Sequence, residues 1–337
     1  EIKKLNRTEQ YVPVTFRNYH IKDVTEEYMT PVDVCLKLKR KTNSQYAYLA
    51  VFNNKEWIPV QFGKIKNSKV TFQKMGKGIV YLPAVYGEKG LIPAANPFIL
   101  NSRGEYQELI PDMQNKQTLI LDRKYPVLPG VYKVAKKMLN GKIQASNNPD
   151  FNKSVTIHTV KEMGTKYGEI RIDSINEKYQ YWRYLSPDSA GCNIAELYFF
   201  PENALDPVYG KVIGTSGSRD NKKEFVKEVT FDNNPLTYNY APKDSVGWVG
   251  MDFGKPVSIS RIIYIPRSDG NGVLFGNEYE LFYWDKDAWQ SLGRKTTSGV
   301  RLIYENCPSD ALFLLHNHTE GKEERIFTYE NGEQKWW

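Results

Sequence analysis

The feature that most constrains this chain is its periodicity. In "VDVCLKLK", Val32, Val34, Leu36 and Leu38 alternate with Asp33, Cys35, Lys37 and Lys39. Side chains on a strand point to opposite faces in turn, so this pattern makes one apolar face and one wet face. Similar short runs recur throughout, among them "YAYLAVF", "WIPVQFGKI", "GIVYLPAVY", "SVTIHTV", "QYWRYL", "AELYFF", "SISRIIYIP" and "EYELFYWD". Gly, Asn, Asp and Pro punctuate them, and a helical period is weak almost everywhere. Strand-length runs between turn residues predict an all-β chain of β-sandwich type. The aromatic share of 13%, with 23 Tyr and 7 Trp among 337 residues, suits both sandwich cores and ligand-stacking surfaces.

Punctuation divides the chain into three. Strand candidates through "TLILDRKYP" predict one β-sandwich over residues 1–127. "YPVLPGVY", with Pro126 and Pro129, reads as a boundary. Residues 128–204 carry the later half of a layout that residues 205–337 carry whole: "GKIQASNNPDF…TIHTV" parallels "NEYELFYWDKDAW…SLG". A half-layout of this size makes a marginal core alone, so it is expected to pack on a neighbour.

Charge and cysteine content narrow the function classes. The formal net charge is +7, but the basic residues are scattered. The densest cluster, "KLKRK" at Lys37–Lys41, fits a solvated strand edge that discourages aggregation, so nucleic acid is not expected as a partner. Cys35, Cys192 and Cys307 form no disulfide framework and no CxxC pair. No apolar run approaches the ~20 residues of a membrane-spanning helix. No Gly-x-Ser-x-Gly elbow occurs, and "GTSGS" lacks the lysine of a phosphate loop. A non-enzymatic chain is therefore expected. His316 and His318 share one strand face, but two imidazoles fall short of a zinc site.

The run "FDNNPLTYN", Phe231–Asn239, then "WVGMDFGKPVSISRIIYIPR", "YELFYWDKDAWQSLG" and "EERIFTY" resemble the discoidin domain, also called the coagulation-factor type C domain, a galactose-binding-like jelly roll. The resemblance covers about 130 residues and implies binding of a sugar, lipid or protein. The turn of that family carries Asp-Gly where this chain has Asp232-Asn233. By resemblance, Asp232, Asn234 and Thr237, with Glu324 before the last strand, would hold a structural calcium; an Asx-type turn is the alternative. Residues 20–127 resemble the β-sandwich of large secreted Gram-negative bacterial proteins, where it follows a transglutaminase-like domain. That implies a secreted, periplasmic or cell-surface location and an upstream domain of the same parent.

A carbohydrate needs rings to cover its C–H face and planar polar groups to pair its hydroxyls. Tyr238, Tyr240 and Trp248 supply the rings expected at one loop rim, and Arg267, Asp269 and Asn271 of "PRSDGNG" the polar groups. The expected function is non-catalytic glycan or polysaccharide binding, as an accessory part of a larger surface enzyme. The alternative is a structural or protein-docking module. An exposed ring cluster beside Arg267 favours sugar, whereas a flat apolar patch favours protein. Trp336 and Trp337 are expected to fold back onto the sandwich, with a partner contact as the alternative.

Overall fold

The computed structural model describes residues 32–337 except 54, 89, 102, 173–176, 188–189, 244 and 321–322, with the backbone of a hairpin, β1 (Val14–Phe16) and β2 (Tyr19–Ile21). The described residues are mostly β, arranged in several antiparallel sheets.

The N-terminal unit holds β3 (Val34–Lys37), β4 (Tyr46–Asn53), β5 (Glu56–Lys64), β6 (Lys69–Phe72), β7 (Ile79–Gly87), β8 (Gly90–Pro93), β9 (Phe98–Leu100) and β10 (Tyr106–Glu108). Strands β10-β9-β7-β4-β5 run side by side with β8 added to β7, while β3 pairs with β6. The alternation of β3 works as read: Val34 and Leu36 are buried, Cys35 and Lys37 exposed. They meet Phe72, Leu49, Tyr81 and Phe98 in a core shared by both sheets.

The next strand departs from expectation. β11 (Asp112–Leu121) was expected to close the N-terminal unit. It pairs instead with β23 (Leu302–Ser309), placing Leu119 against Tyr304 and Leu121 against Leu302. Alternation fixes which face of β11 is buried but not which strand receives it.

After the short helix α1 (Pro129–Ala135) come β12 (Lys142–Ser146), β13 (Val155–Thr159), β14 (Gly168–Arg171), β15 (Tyr179–Leu185), β16 (Cys192–Pro201), β17 (Lys211–Gly214), β18 (Asn239–Tyr240), β19 (Trp248–Val257) and β20 (Ile259–Pro266). They form a five-stranded sheet, β13-β12-β15-β19-β17, and a four-stranded one, β14-β20-β16-β18. Trp182, Tyr184, Met251, Leu197, Phe199 and Ile262 fill the core between them. Residues 128–204 therefore do lean on a neighbour, but by interleaving: β15 pairs with β19 and β16 with β20. The expectation that residues 205–337 carry a whole layout is corrected by the same pairings, since β20 runs between β14 and β16 and β19 runs beside β15, all strands from before residue 204.

The C-terminal unit is the sheet β22-β21-β24-β25-β26 facing β11 and β23; its strands are β21 (Glu278–Asp285), β22 (Ala288–Thr296), β24 (Phe313–Asn317), β25 (Phe327–Glu330) and β26 (Glu333–Trp336). Leu119, Leu121, Tyr279, Leu281, Tyr304 and Phe313 form its core. Trp336 packs on that core, and Trp337 joins a seam where Trp284, Leu312 and Leu314 meet Ala50, Val80 and Leu82 of the N-terminal unit. A second seam joins Phe200, Ile263 and Ile265 of the middle unit to Leu274 and Val300. Arg40 of the basic cluster bridges units, donating to the Pro93 carbonyl at 2.9 Å and pairing with Asp287 at 3.1 Å.

Candidate functional site

A ring and cation cluster gathers at the start of β16 and the end of β20. β18 pairs with β16 and so fixes Tyr240. A 3-10 turn at Lys223–Phe225 swings Phe225 beside it, with centroid distances of 5.0 Å to Tyr238 and 5.8 Å to Tyr240. The two tyrosines lie 6.4 Å apart. Each carries a cation: the Arg267 guanidinium stands 4.1 Å from the Tyr238 centroid, and that of Arg219 4.4 Å from the Tyr240 centroid. The Arg267 backbone is fixed by its N–H donating to the Asn193 carbonyl at 2.9 Å. Gly191, at φ +66°, leaves the room Tyr240 needs, because a β-carbon there would lie 2.9 Å from the ring. A guanidinium stacked on a ring keeps its N–H groups in its own plane, directed outward. This surface combines apolar ring and charged donor, which suits a hydroxylated ligand.

Of the other expected ligand residues, Asp269 and Asn271 are structural. The Asp269 side chain is 1% exposed; Arg123 donates to both of its oxygens, at 2.7 and 2.6 Å. The Leu128 and Asn271 amides also donate to it. Asn271 is buried, donates to Glu323 at 3.0 Å and accepts the Lys124 amide through its carbonyl. Neither can meet a ligand without dismantling the joint between β11 and the middle unit. Trp248 joins a different group of rings. It opens β19, in the five-stranded sheet, whereas Tyr240 lies in the four-stranded one. Its ring meets Phe151 at 5.7 Å, and the Arg183 guanidinium lies 5.3 Å from its centroid.

The 232–237 loop closes on itself. Asp232 accepts the Asn234 amide at 2.9 Å and the Thr237 hydroxyl at 2.9 Å, and Asn234 Oδ1 accepts the Leu236 amide at 3.2 Å. Asn233 takes the left-handed backbone, φ 61°, that glycine would take in the resembled turn. Thus Asp232, Asn234 and Thr237 come together, but Glu324 is engaged elsewhere: its carboxylate meets His316 Nδ1 at 2.9 Å and accepts the Asn317 amide at 3.0 Å. His318 meets Glu280 at 2.7 Å. The carboxylate that neighbours Asp232 is Glu196 of β16, fully buried. The Asn233 and Asn234 amides approach it, yet neither oxygen reaches hydrogen-bond geometry with any partner. Burial, and then the nearby Asp232, push its carboxyl up to about 9. Glu196 was missed in the sequence, although a lone acid inside "CNIAELYFF" was the available signal.

Among the described residues no three His, Cys, Asp or Glu side chains group as a metal site. Glu196 and Asp232 make a pair, and the remaining donors at hand are amide, hydroxyl and carbonyl oxygens. Such an all-oxygen set fits calcium rather than zinc. Burial pushes the Cys192 thiol far up and that of Cys307 up to about 11, so neither is a thiolate near neutrality. No helix among the described residues is long and apolar enough to cross a membrane. No protein family, curated protein or solved structure matches this chain.

Proposed function

We propose that the chain is a non-catalytic carbohydrate-binding part of a larger secreted bacterial protein. In this reading the middle unit is a galactose-binding-like jelly roll whose sugar site is the cluster of Arg267, Tyr238, Tyr240, Phe225 and Arg219. The observation that carries it is the pairing of each tyrosine ring with its own half-buried arginine at one end of the sheets. Calcium belongs to the same proposal, with Glu196 taking the place expected of Glu324. The ion would supply fixed positive charge that neutralises Glu196 and Asp232 and stiffens the loop leading to Tyr238 and Tyr240.

Shallow sugar sites compete with water, so affinity should be weak, about 0.1–1 mM. The test is a glycan-array screen followed by titration of the best ligand. Arg267→Ala and Tyr240→Ala should each weaken binding at least about tenfold, a loss of about 1–3 kcal/mol for a charged donor. The reading fails if no glycan binds, or if both variants bind as tightly as wild type.

A further inference from the structure

The outer face of the N-terminal unit's larger sheet is covered along only part of its length. At one end Ala50, Phe52, Trp57, Val80 and Leu82 lie against Trp284, Leu312 and Leu314 of the C-terminal unit. At the other end the face continues as rings. Pairing sets Tyr48 opposite Phe62 on β5 and opposite Ala84 on β7. The two-residue period then puts Tyr46, Tyr48, Phe62 and Tyr86 on one side. The rings are continuous, with centroid distances of 5.8 Å for Tyr46–Phe62, 6.4 Å for Tyr48–Phe62 and 4.8 Å for Tyr48–Tyr86.

These rings are not needed by the core below, which takes Ala47, Leu49 and Val85 from the opposite face. Phe62 is 63% exposed, Tyr86 50% and Tyr46 39%. The hydroxyls of Tyr46, Tyr48 and Tyr86 have no hydrogen-bond partner among the described residues. A mid-strand phenylalanine left this open, beside three tyrosines with unused hydroxyls, is a surface awaiting a ligand.

We infer that this face is a second carbohydrate site, independent of the Arg267 cluster, and that it takes a single extended chain of a neutral soluble polysaccharide. Area separates this from a protein partner. At about 150–250 Å² per aromatic side chain, the exposed parts of Tyr46, Phe62 and Tyr86 come to roughly 300 Å². A stable protein interface needs about 800 Å² on each side. The exposed surface is aromatic with one cation at its edge, Lys64 opposite Tyr46, and its tyrosine hydroxyls are placed to pair sugar hydroxyls while the ring faces cover C–H groups. Neighbouring rings meet at 79° and 82°, so they share no plane. That geometry suits a twisted single chain and excludes the flat face of a crystalline polymer.

Affinity gel electrophoresis of the full chain tests this, with mixed-linkage β-glucan, galactomannan and arabinoxylan as probes. Wild type should be retarded by at least one. Phe62→Ala combined with Tyr86→Ala should weaken that retardation about tenfold or more. Phe62→Trp should retain it, and the same double substitution made in an Arg267→Ala background should again weaken whatever retardation that background shows, so that failure of the Arg267 site and failure of this face are told apart. Thermal melting confirms that the double variant folds; if it does not, Phe62→Ser alone carries the test. No retardation by any probe, or equal retardation of wild type and variant, overturns the inference. So does light scattering that shows a dimer in wild type and a monomer in the double variant, which would make the face a contact between copies.

Discussion

Glu196 sits in β16 between Ala195 and Leu197, both fully buried. A carboxylate in such surroundings must find a proton or a cation. Its folded value of about 9 lies above the ordinary one near 4.5, so over that interval the native chain holds a proton that the unfolded chain has released. Stability in a calcium chelator should therefore fall as pH rises through the window from about 4.5 to 9. Glu196→Gln should flatten this dependence, read as melting temperature against pH. Millimolar calcium should raise the wild-type melting temperature, and more so at higher pH because the ion displaces the proton. A pH-independent wild-type melting temperature that ignores calcium would refute the site. Asp269 teaches the opposite lesson. Its loop reads as polar and accessible, but the arginine that buries it lies 146 positions upstream. No local signal in "PRSDGNG" announces that partner. Arg123→Ala leaves the carboxylate buried and uncompensated, and should destabilise the chain by about 3–5 kcal/mol in denaturant melts. Arg267→Ala, at the same loop, should leave stability nearly unchanged.

At the scale of elements, strand existence and facing were legible, while strand partnership was not. The alternation in β3 told which side chains go inward, because a period of two depends on local geometry alone. β11 shows the limit. Its buried Leu119 and Leu121 would serve equally well against either neighbouring sheet, and the choice of β23 is made by a strand more than 180 residues away in sequence, Leu121 pairing with Leu302 and Leu119 with Tyr304. The interleaving of β15 with β19 and of β16 with β20 leaves no local signal for the same reason. The candidate site was half legible: Tyr238, Tyr240 and Arg267 meet as read. Phe225 and Arg219 come from a segment of 3-10 turns that carries no strand pattern. If β11 belongs to the C-terminal unit, Leu119→Ala should cost about 2–5 kcal/mol. Amide exchange should then speed up in β21, β24 and β25 rather than in β4 and β7. Faster exchange confined to the N-terminal sheet would show that the β11–β23 pairing does not hold in solution.

For the whole molecule the question is whether three units move as one. Units joined through small polar interfaces move independently by default, and large apolar ones couple. Here the seam between the N- and C-terminal units is built from rings: Trp57 meets Trp284 at 5.5 Å, Phe52 meets Trp289 at 5.7 Å, and Trp284 meets Trp289 at 5.1 Å. Aliphatic side chains from both sheets surround them. The buried Arg123–Asp269 pair ties the strand leaving the N-terminal unit to the middle unit. Two carbohydrate surfaces on such a body would be held at fixed separation, so one polysaccharide could engage both and gain avidity without new contacts. That gain depends on the seam. Trp284→Ala removes its central ring at a cost of about 3–5 kcal/mol. Wild type should melt in one calorimetric transition. Trp284→Ala should melt in two, with the N-terminal unit separated from the rest, and should keep each single-site affinity while losing the avidity of a long polysaccharide. A wild type that already melts in separate transitions would mean that the rings touch without coupling the units, and the two surfaces would then bind as tethered, independent sites.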